Sequence, residues 1–417
     1  MRRETLDARM MGARRETIDE SHVSRLTPPG VSGLTSRASW PKVKLGEIGR
    51  VAMCKRVLNR ETADTGEIPF FKIGTFGKKA NAFITRDKFE YYRTHYAYPK
   101  KGNVLISAAG TIGRLVVFNG EPAYFQDSNI VWLEHDGQRL CDKYLYYSLL
   151  GHEWQFTQGA TIQRLYNDDV RNAEIPLPPL PVQRRIADVL SAYDDLIENN
   201  RRRIAILEET ARLLFQTDIV GGDWSCVPVS ELIAINPKVA KPRNTIVRYV
   251  PMSALSTSGM TVDLHEIEMR SKATSVCFVN GDVLLARITP CLENGKTAYV
   301  NFLGDDEVAC GSSEFIVMRG QNVSPYFTYC TARLEAFRGI AIKSMVGASG
   351  RQRVQESCFK DFSIQYPDSV ALHRFDQTVK PMFQQIAFLS KQNAMLAASR
   401  DMLLPRLMKG QPCFSSL

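Results

Sequence analysis

The chain has 417 residues, of which 44% are hydrophobic and 23% charged, and its formal net charge is +9. That length predicts roughly two to four domains rather than one core, and the composition excludes a chain disordered throughout. No apolar run approaches the ~18 residues of a bilayer span, and no apolar stretch follows the Met-Arg-Arg-Glu-Thr start, so a cytoplasmic protein is expected.

Nine scattered cysteines with no Cys-x-x-Cys pair, and six scattered histidines, predict reduced, mostly buried thiols. No zinc spacing occurs, so no metal and no cofactor are expected on this chain. The positive charge suits an anionic partner. It is spread thinly: residues 40–180 carry 19 basic against 15 acidic side chains, and residues 221–367 carry 15 against 14. Any binding to nucleic acid must therefore come from charges that the fold arranges.

Residues 1–39 hold a short echo, Arg2-Arg3-Glu4-Thr5-Leu6-Asp7 against Arg14-Arg15-Glu16-Thr17-Ile18-Asp19, and then a Ser/Thr/Pro/Gly-rich stretch. They are expected to be a mobile extension. Trp40 opens a globular stretch over 40–180, with strand-like runs at Ile68–Ile73 and Asn103–Ser107 and a helical stretch near 142–156. After the proline cluster Pro176-Leu177-Pro178-Pro179-Leu180-Pro181, residues 181–222 change to helical periodicity. Ile186, Leu190, Tyr193, Ile197, Asn200, Ile204, Leu207, Ala211 and Leu214 step alternately by four and three, which is a heptad seam.

Trp224 opens the second stretch, 223–367, with runs at Asp282–Ala286 and Phe315–Met318 and a helical stretch near 325–338. Residues 368–417 close with a second seam: Phe375, Val379, Met382, Ile386, Leu389, Asn393, Leu396, Arg400 and Leu403, at a constant offset of 189 from the first. A period of 3.5 favours helices paired as a coiled coil over two helices lying separately on their own cores. Asn200 and Asn393 are candidates for fixing the register.

The chain thus repeats itself. Gly102-Asn103-Val104-Leu105-Ile106 matches Gly281-Asp282-Val283-Leu284-Leu285, and Ser128-Asn129-Ile130 matches Ser313-Glu314-Phe315. Gly159–Arg164 matches Gly347–Arg353. The expected fold is α+β: two mixed α/β domains related by a pseudo-two-fold repeat and separated by two long antiparallel coiled-coil helices, a dumbbell with a reader at each end. The seam 186–214 would span roughly 43 Å, against 34–36 Å for one DNA turn.

Catalytic motifs fail one by one. Gly295-Lys296-Thr297 lacks the glycine of a phosphate loop, with Pro290 in its place. Gly110-Thr111-Ile112-Gly113 lacks dinucleotide spacing. Asn236-Pro237-Lys238 lacks the second proline and aromatic of an amino-methyltransferase, and no serine elbow occurs. Residue types that neutralise phosphates and read base edges do recur in both halves. The first half offers Lys72, Thr75, Lys78, Lys79, Arg114, Gln163 and Arg164, with the Tyr91-Tyr92-Arg93 cluster as a further option. The second offers Arg287, Lys296, Ser349, Arg351, Gln352 and Arg353, with Arg243 and Thr289 besides. Any one of these side chains could instead be a solvated surface group. The paired loops at 159–164 and 347–353 are the strongest candidates.

Pro178-Pro179-Leu180-Pro181-Val182-Gln183-Arg184-Arg185-Ile186-Ala187 resembles the junction motif of type I restriction-modification specificity subunits. Leu403-Leu404-Pro405-Arg406-Leu407-Met408-Lys409-Gly410 resembles that family's C-terminal motif, and Gly110–Gly113 and Gly159–Thr161 stand at family-like places. The second junction, Ser369-Val370-Ala371-Leu372-His373-Arg374, departs from the pattern, which leaves open how the second helix starts. The resemblance covers about 40–410. It implies two target-recognition domains, each reading half of a split double-stranded DNA site, on a scaffold that catalyses nothing. It also implies two methyltransferase subunits and two restriction-translocase subunits as partners, which would carry the S-adenosylmethionine, ATP and Mg. The rival readings are a self-contained DNA-modifying enzyme and a coiled-coil adaptor that never touches DNA. Methyl transfer by the lone chain would favour the first rival, and site-dependent binding by the assembled complex would exclude the second.

Overall fold

The computed structural model describes residues 40–154, 164–242, 245–273, 275–348 and 350–411. The extension 1–39 lies outside the described residues, as do Gln163, Arg243 and Ser349. The described residues before 194 pack with those after 399 into one compact unit, and 194–399 form another. Both divisions fall inside long helices, Leu180–Phe215 and Ser369–Met408.

The first unit contains β1 (Lys42–Lys44), β2 (Arg50–Met53), β3 (Ile68–Phe71), β4 (Phe83–Ile84), β5 (Val104–Ser107), β6 (Leu115–Val117), β7 (Tyr124–Phe125), β8 (Ile130–Glu134) and β9 (Glu174–Pro176). They form a four-stranded antiparallel sheet in the order β2-β8-β5-β6, a three-stranded sheet β4-β3-β7 in which β3 and β7 are parallel, and the antiparallel pair β1-β9. All four residues of β5 are buried. Alternation explains why a strand can be apolar throughout. Val104 and Ile106, with Val131 and Leu133 of β8, face a core shared with Tyr144, Leu145, Ile186 and Leu190. Leu105, Ile130 and Trp132 face the opposite core, with Phe70, Phe89 and Tyr124.

The second unit repeats this plan. Its strands are β10 (Cys226–Pro228), β11 (Ile233–Ile235), β12 (Val247–Val250), β13 (Glu268–Arg270), β14 (Val276–Phe278), β15 (Val283–Ala286), β16 (Thr297–Tyr299), β17 (Ala309–Gly311), β18 (Phe315–Gly320) and β19 (Ser363–Gln365). They are ordered β11-β18-β15-β16, β13-β12-β17-β14 and β10-β19. Again β12 and β17 are parallel, the counterpart of β3 and β7. Val283, Leu285, Ile316 and Met318 face the helices, while Leu284, Phe315 and Val317 face the second sheet. The expected repeat is thus present, with β14 as an added strand in the second unit.

The helical stretch expected near 142–156 runs over Asp142–Leu149 and stops before Gly151, whose φ of 76° belongs to the left-handed region. That expected near 325–338 is two helices, Pro325–Arg333 and Glu335–Lys343, divided at Leu334 (ψ 134°).

The proline cluster hands over to the first long helix through Gln183, whose side chain is fully buried. Its Nε2 donates to Arg139 O and Pro178 O, each at 2.8 Å, and its Oε1 accepts from Cys141 N at 3.0 Å. The second long helix starts differently: Asp368 caps it by accepting from Ala371 N at 2.7 Å.

Seam residues Ile186 and Leu190 are buried in the first unit, and Ile197, Ile204, Phe375, Val379, Ile386 and Leu396 in the second, with Leu207 half-buried. Within the second unit Asn200 Nδ2 donates to Gln392 Oε1 (2.9 Å) and Asn393 Oδ1 (3.0 Å), and the Phe215 ring lies 5.5 Å from that of Phe375. Climbing one helix descends the other, so the two run antiparallel. The helices are not a free-standing pair, because seam residues Phe375, Val379 and Ile386 lie in one core with Tyr299, Phe327 and Tyr329, and Phe383 beside the seam packs on Tyr299, Tyr326 and Tyr329. Replacing Asn200 and Asn393 together by leucine is expected to raise the unfolding midpoint by about 2–4 °C, read by calorimetry, since a polar seam pair gives up about 1 kcal/mol.

Each unit also anchors a tryptophan. Trp40 Nε1 donates to Leu407 O at 3.1 Å, and Trp224 Nε1 donates to Asp218 O at 3.3 Å. Asp218 and Leu407 differ by the same 189 positions as the seams.

Candidate nucleic-acid interface

In the first unit the turn between β5 and β6 is built on Ser107, whose Oγ accepts from Arg114 N at 2.8 Å and donates to Thr111 O. Gly113 has φ 75°, and a Cβ there would fall 2.4 Å from Trp154 Nε1, so only glycine admits the indole. Arg114 leans the other way, its Nη1 donating to Phe76 O at 3.0 Å. Phe76 ends a tight turn in which Thr75 Oγ1 accepts from Lys72 N at 3.1 Å. Next in that turn, Ile73 N donates to Gln126 Oε1 at 2.9 Å. Close by in the chain, Arg164 Nη2 donates to Ser128 O at 2.7 Å, satisfying the carbonyl of a residue held at φ 53°.

Four segments, 72–79, 107–114, 126–129 and 164–165, therefore meet at one edge. They carry every described site candidate of the first half: Lys72, Thr75, Lys78, Lys79, Arg114 and Arg164. Arg114 and Arg164 act as braces for backbone carbonyls. Lys78 and Lys79 are exposed, with no ion-pair partner among the described residues. The Tyr91-Tyr92-Arg93 option forms a separate cluster on helix Arg86–His95, where Tyr91 stacks on His95 at 4.3 Å and Lys55 Nζ sits 5.0 Å from the Tyr96 ring.

The second unit brings together the corresponding segments. Lys296 Nζ donates to Met252 O at 2.6 Å, as Arg114 does to Phe76 O. Thr289 and Gln352 are joined twice, Thr289 N to Gln352 O and Gln352 N to Thr289 Oγ1, both at 3.0 Å. Segments 252–257, 287–296, 312–314, 346–348 and 350–354 thus converge, carrying Arg287, Lys296, Arg351, Gln352 and Arg353.

The electrostatics of the two edges differ. Arg287 Nη1 pairs with Glu356 at 3.0 Å, and Arg353 pairs with Glu314 through contacts of 2.7 and 2.9 Å. The Arg353 hydrogen bond holds the Glu314 carboxyl below the usual carboxylate range. Asn129 stands where the repeat places Glu314, so the first unit has no carboxylate at that position. Arg351 is exposed and enters no ion pair among the described residues. Sequence reasoning did not reach Glu314 and Glu356, whose partners lie 39 and 69 residues away. It also did not reach Ser107, Gln126 and Trp154, which shape the edge without being basic.

Comparison with known proteins adds the family. Residues 38–209 match the family described as Type I restriction modification DNA specificity domain. A Haemophilus influenzae protein named as a type I restriction enzyme specificity subunit is 51% identical over 154 residues, which are 37% of this chain and 40% of that protein. That match spans less than half of the relative's own length. The MjaIX specificity subunit of Methanocaldococcus jannaschii is 24% identical over 347 residues, 75% of this chain and 78% of the relative. A crystal structure of the type I restriction-modification S subunit from M. genitalium, 17% identical, superposes with a TM-score of 0.54 over 94% of this chain and 100% of its own, and so shares the fold. Over its first globular half and most of its long first helix the chain thus matches a type I restriction-modification DNA specificity domain, and along its length it is similar to the specificity subunits of such systems.

Proposed function

We propose that this chain is the DNA-reading subunit of a type I restriction-modification complex and that it catalyses no step itself. One observation carries the reading: two units with the same strand order in their main sheet each gather a turn, a glycine-rich or proline-containing loop and a basic residue or segment, Arg164 in the first and 350–354 in the second, at one edge from matching positions of the repeat. Each edge takes one half of a split duplex site. Lys72, Lys78, Lys79 and Arg351 contact phosphates, which fixes position but not sequence. Gln352 and Thr75 face base edges. Arg353 can join them, because an ion pair as exposed as Arg353–Glu314, with side chains 45% and 23% accessible, is worth about 1 kcal/mol or less and yields to a phosphate.

Two methyltransferase subunits dock on the long helices, whose outward faces are unusually apolar. Phe388, Met395 and Met402 recur every seventh residue, and Ile206 and Leu213 do so on the first helix, all of them exposed. Restriction-translocase subunits join through that complex. S-adenosylmethionine, ATP and Mg belong to these partners. No helix among the described residues is long and apolar enough to cross a membrane, and a chromosomal DNA substrate supports a cytoplasmic site of work.

The test is Lys78→Ala with Lys79→Ala, measured as duplex binding by the assembled complex over a range of salt. Losing two phosphate contacts is expected to reduce the slope of log affinity against log salt by about 1.8 and to weaken cognate and unrelated DNA alike. An unchanged slope would remove this edge from the interface.

A further inference from the structure

Glu208 lies on the first long helix yet is 3% exposed, buried inside the second unit. Its Oε2 accepts from Met260 N at 2.8 Å, its Oε1 accepts from the Tyr329 hydroxyl, and the Arg333 guanidinium stands 4.0 Å away. Burial, and then the Glu208 charge, lifts the Tyr329 hydroxyl well above the usual phenol range, so it remains a donor. Arg333 passes the connection on, its Nη1 donating to Gly295 O at 2.8 Å. Arg338 supports the same turn from beneath, donating to Leu292 O at 2.9 Å and Glu293 O at 3.3 Å.

The fit leaves no slack. A Cβ at Gly259 would lie 3.1 Å from Glu208 Oε2, and one at Gly295 would lie 2.9 Å from Thr257 O. One carboxylate therefore ties the long helix to the 256–260 segment directly and to the 290–296 turn through Arg333. That turn carries Lys296 and, through Thr289, holds Gln352.

Stability alone does not account for a carboxylate here. Burying one costs several kcal/mol before its partners compensate, and an apolar side chain of similar size would pack at no such cost. What a carboxylate adds is direction, because it can accept from a backbone N–H, a phenol and a guanidinium at fixed angles. The matching position of the second long helix is Ala397, so the repeat does not require an acid there.

We propose that Glu208 is a positioning residue for DNA recognition: it sets the reading edge of the second unit on the long helix, and the sequence preference of one half-site depends on it. This inference rests on the DNA-reading function above.

The full-length chain, its Glu208→Gln variant and its Tyr329→Phe variant would each be mixed with random-sequence duplexes and the bound DNA sequenced. The wild type should enrich a two-part motif. Glu208→Gln should keep one part and lose about tenfold in discrimination per base pair in the other. An effect on folding alone would instead lower the bound fraction and leave both parts of the motif intact. That result, or equal weakening of both parts, overturns the inference. Should Glu208→Gln not fold, Tyr329→Phe decides the matter. It removes one hydrogen bond and keeps the ring, so a one-sided loss of about threefold supports the positioning role and an unaltered motif ends it. A wild type that enriches no motif would overturn the DNA-reading function itself, a different result from any of these.

Discussion

Inserting one heptad into each long helix is expected to widen the gap in the DNA target by about three base pairs while both half-sites keep their sequence. Seven helical residues add roughly 10 Å, and B-DNA rises about 3.4 Å per base pair. A heptad keeps the seam in phase, so Asn200 and Ile204 still meet the face of the second helix that carries Ile386 and Asn393. Sequencing methylated adenines in cells that carry the altered subunit with its partners reads the gap directly. Inserting three residues instead rotates the apolar face, and loss of modification is expected. An unchanged gap after the heptad insertion would show that the helices do not set the spacing.

Gln183→Leu is expected to lower the unfolding free energy of the first unit by about 3–5 kcal/mol. Its amide serves three backbone groups, the carbonyls of Arg139 and Pro178 and the N–H of Cys141, at a site with no exposure. A leucine of similar volume fills the space but orphans all three, and each unsatisfied buried group costs about 1–3 kcal/mol. In urea denaturation followed by hydrogen exchange, amides around Cys141 and Ile186 should lose protection first, while those of β15 and β18 keep theirs. Protection lost to the same degree in both units would contradict this account. The contrast with the second junction is instructive, because there Leu372 stands at the matching position and Asp368 does the capping instead.

Much of the fold was legible because its signals are periodic. Val104–Ser107 is apolar at every position but the last and Val283–Ala286 at every position, which is what a strand buried on both faces requires, and both are central strands. The two seams with their shared offset announced paired helices, and Trp40 and Trp224 marked equivalent corners. The candidate loops were singled out by residue type and by their recurrence in order, and most of the first lies outside the described residues.

Long-range polar pairing was not legible. Nothing near Arg353 in sequence points to Glu314, so a side chain that reads as a free cation turns out to be paired. Glu208 stands beside Glu209, and in a helix full of charges such a pair reads as solvated surface. Only the approach of Met260, 52 residues on, and Tyr329, 121 residues on, turns one of the two inward. Gln183 carried a family resemblance, but its physical reason was visible only once three backbone groups were seen around one amide.

The contact between Trp40 and Leu407 has a consequence for the newborn chain. Synthesis runs from one end to the other, and the first unit is completed only by residues after 399. At roughly 5–20 residues per second, the ribosome spends on the order of 10–40 s making 194–399 while that corner stands open. Trp224, by contrast, finds Asp218 six residues back, already made. The unit that emerges first is thus the one that finishes last, and in the interval its bare apolar face around Ile186 and Leu190 is the surface most in need of a chaperone.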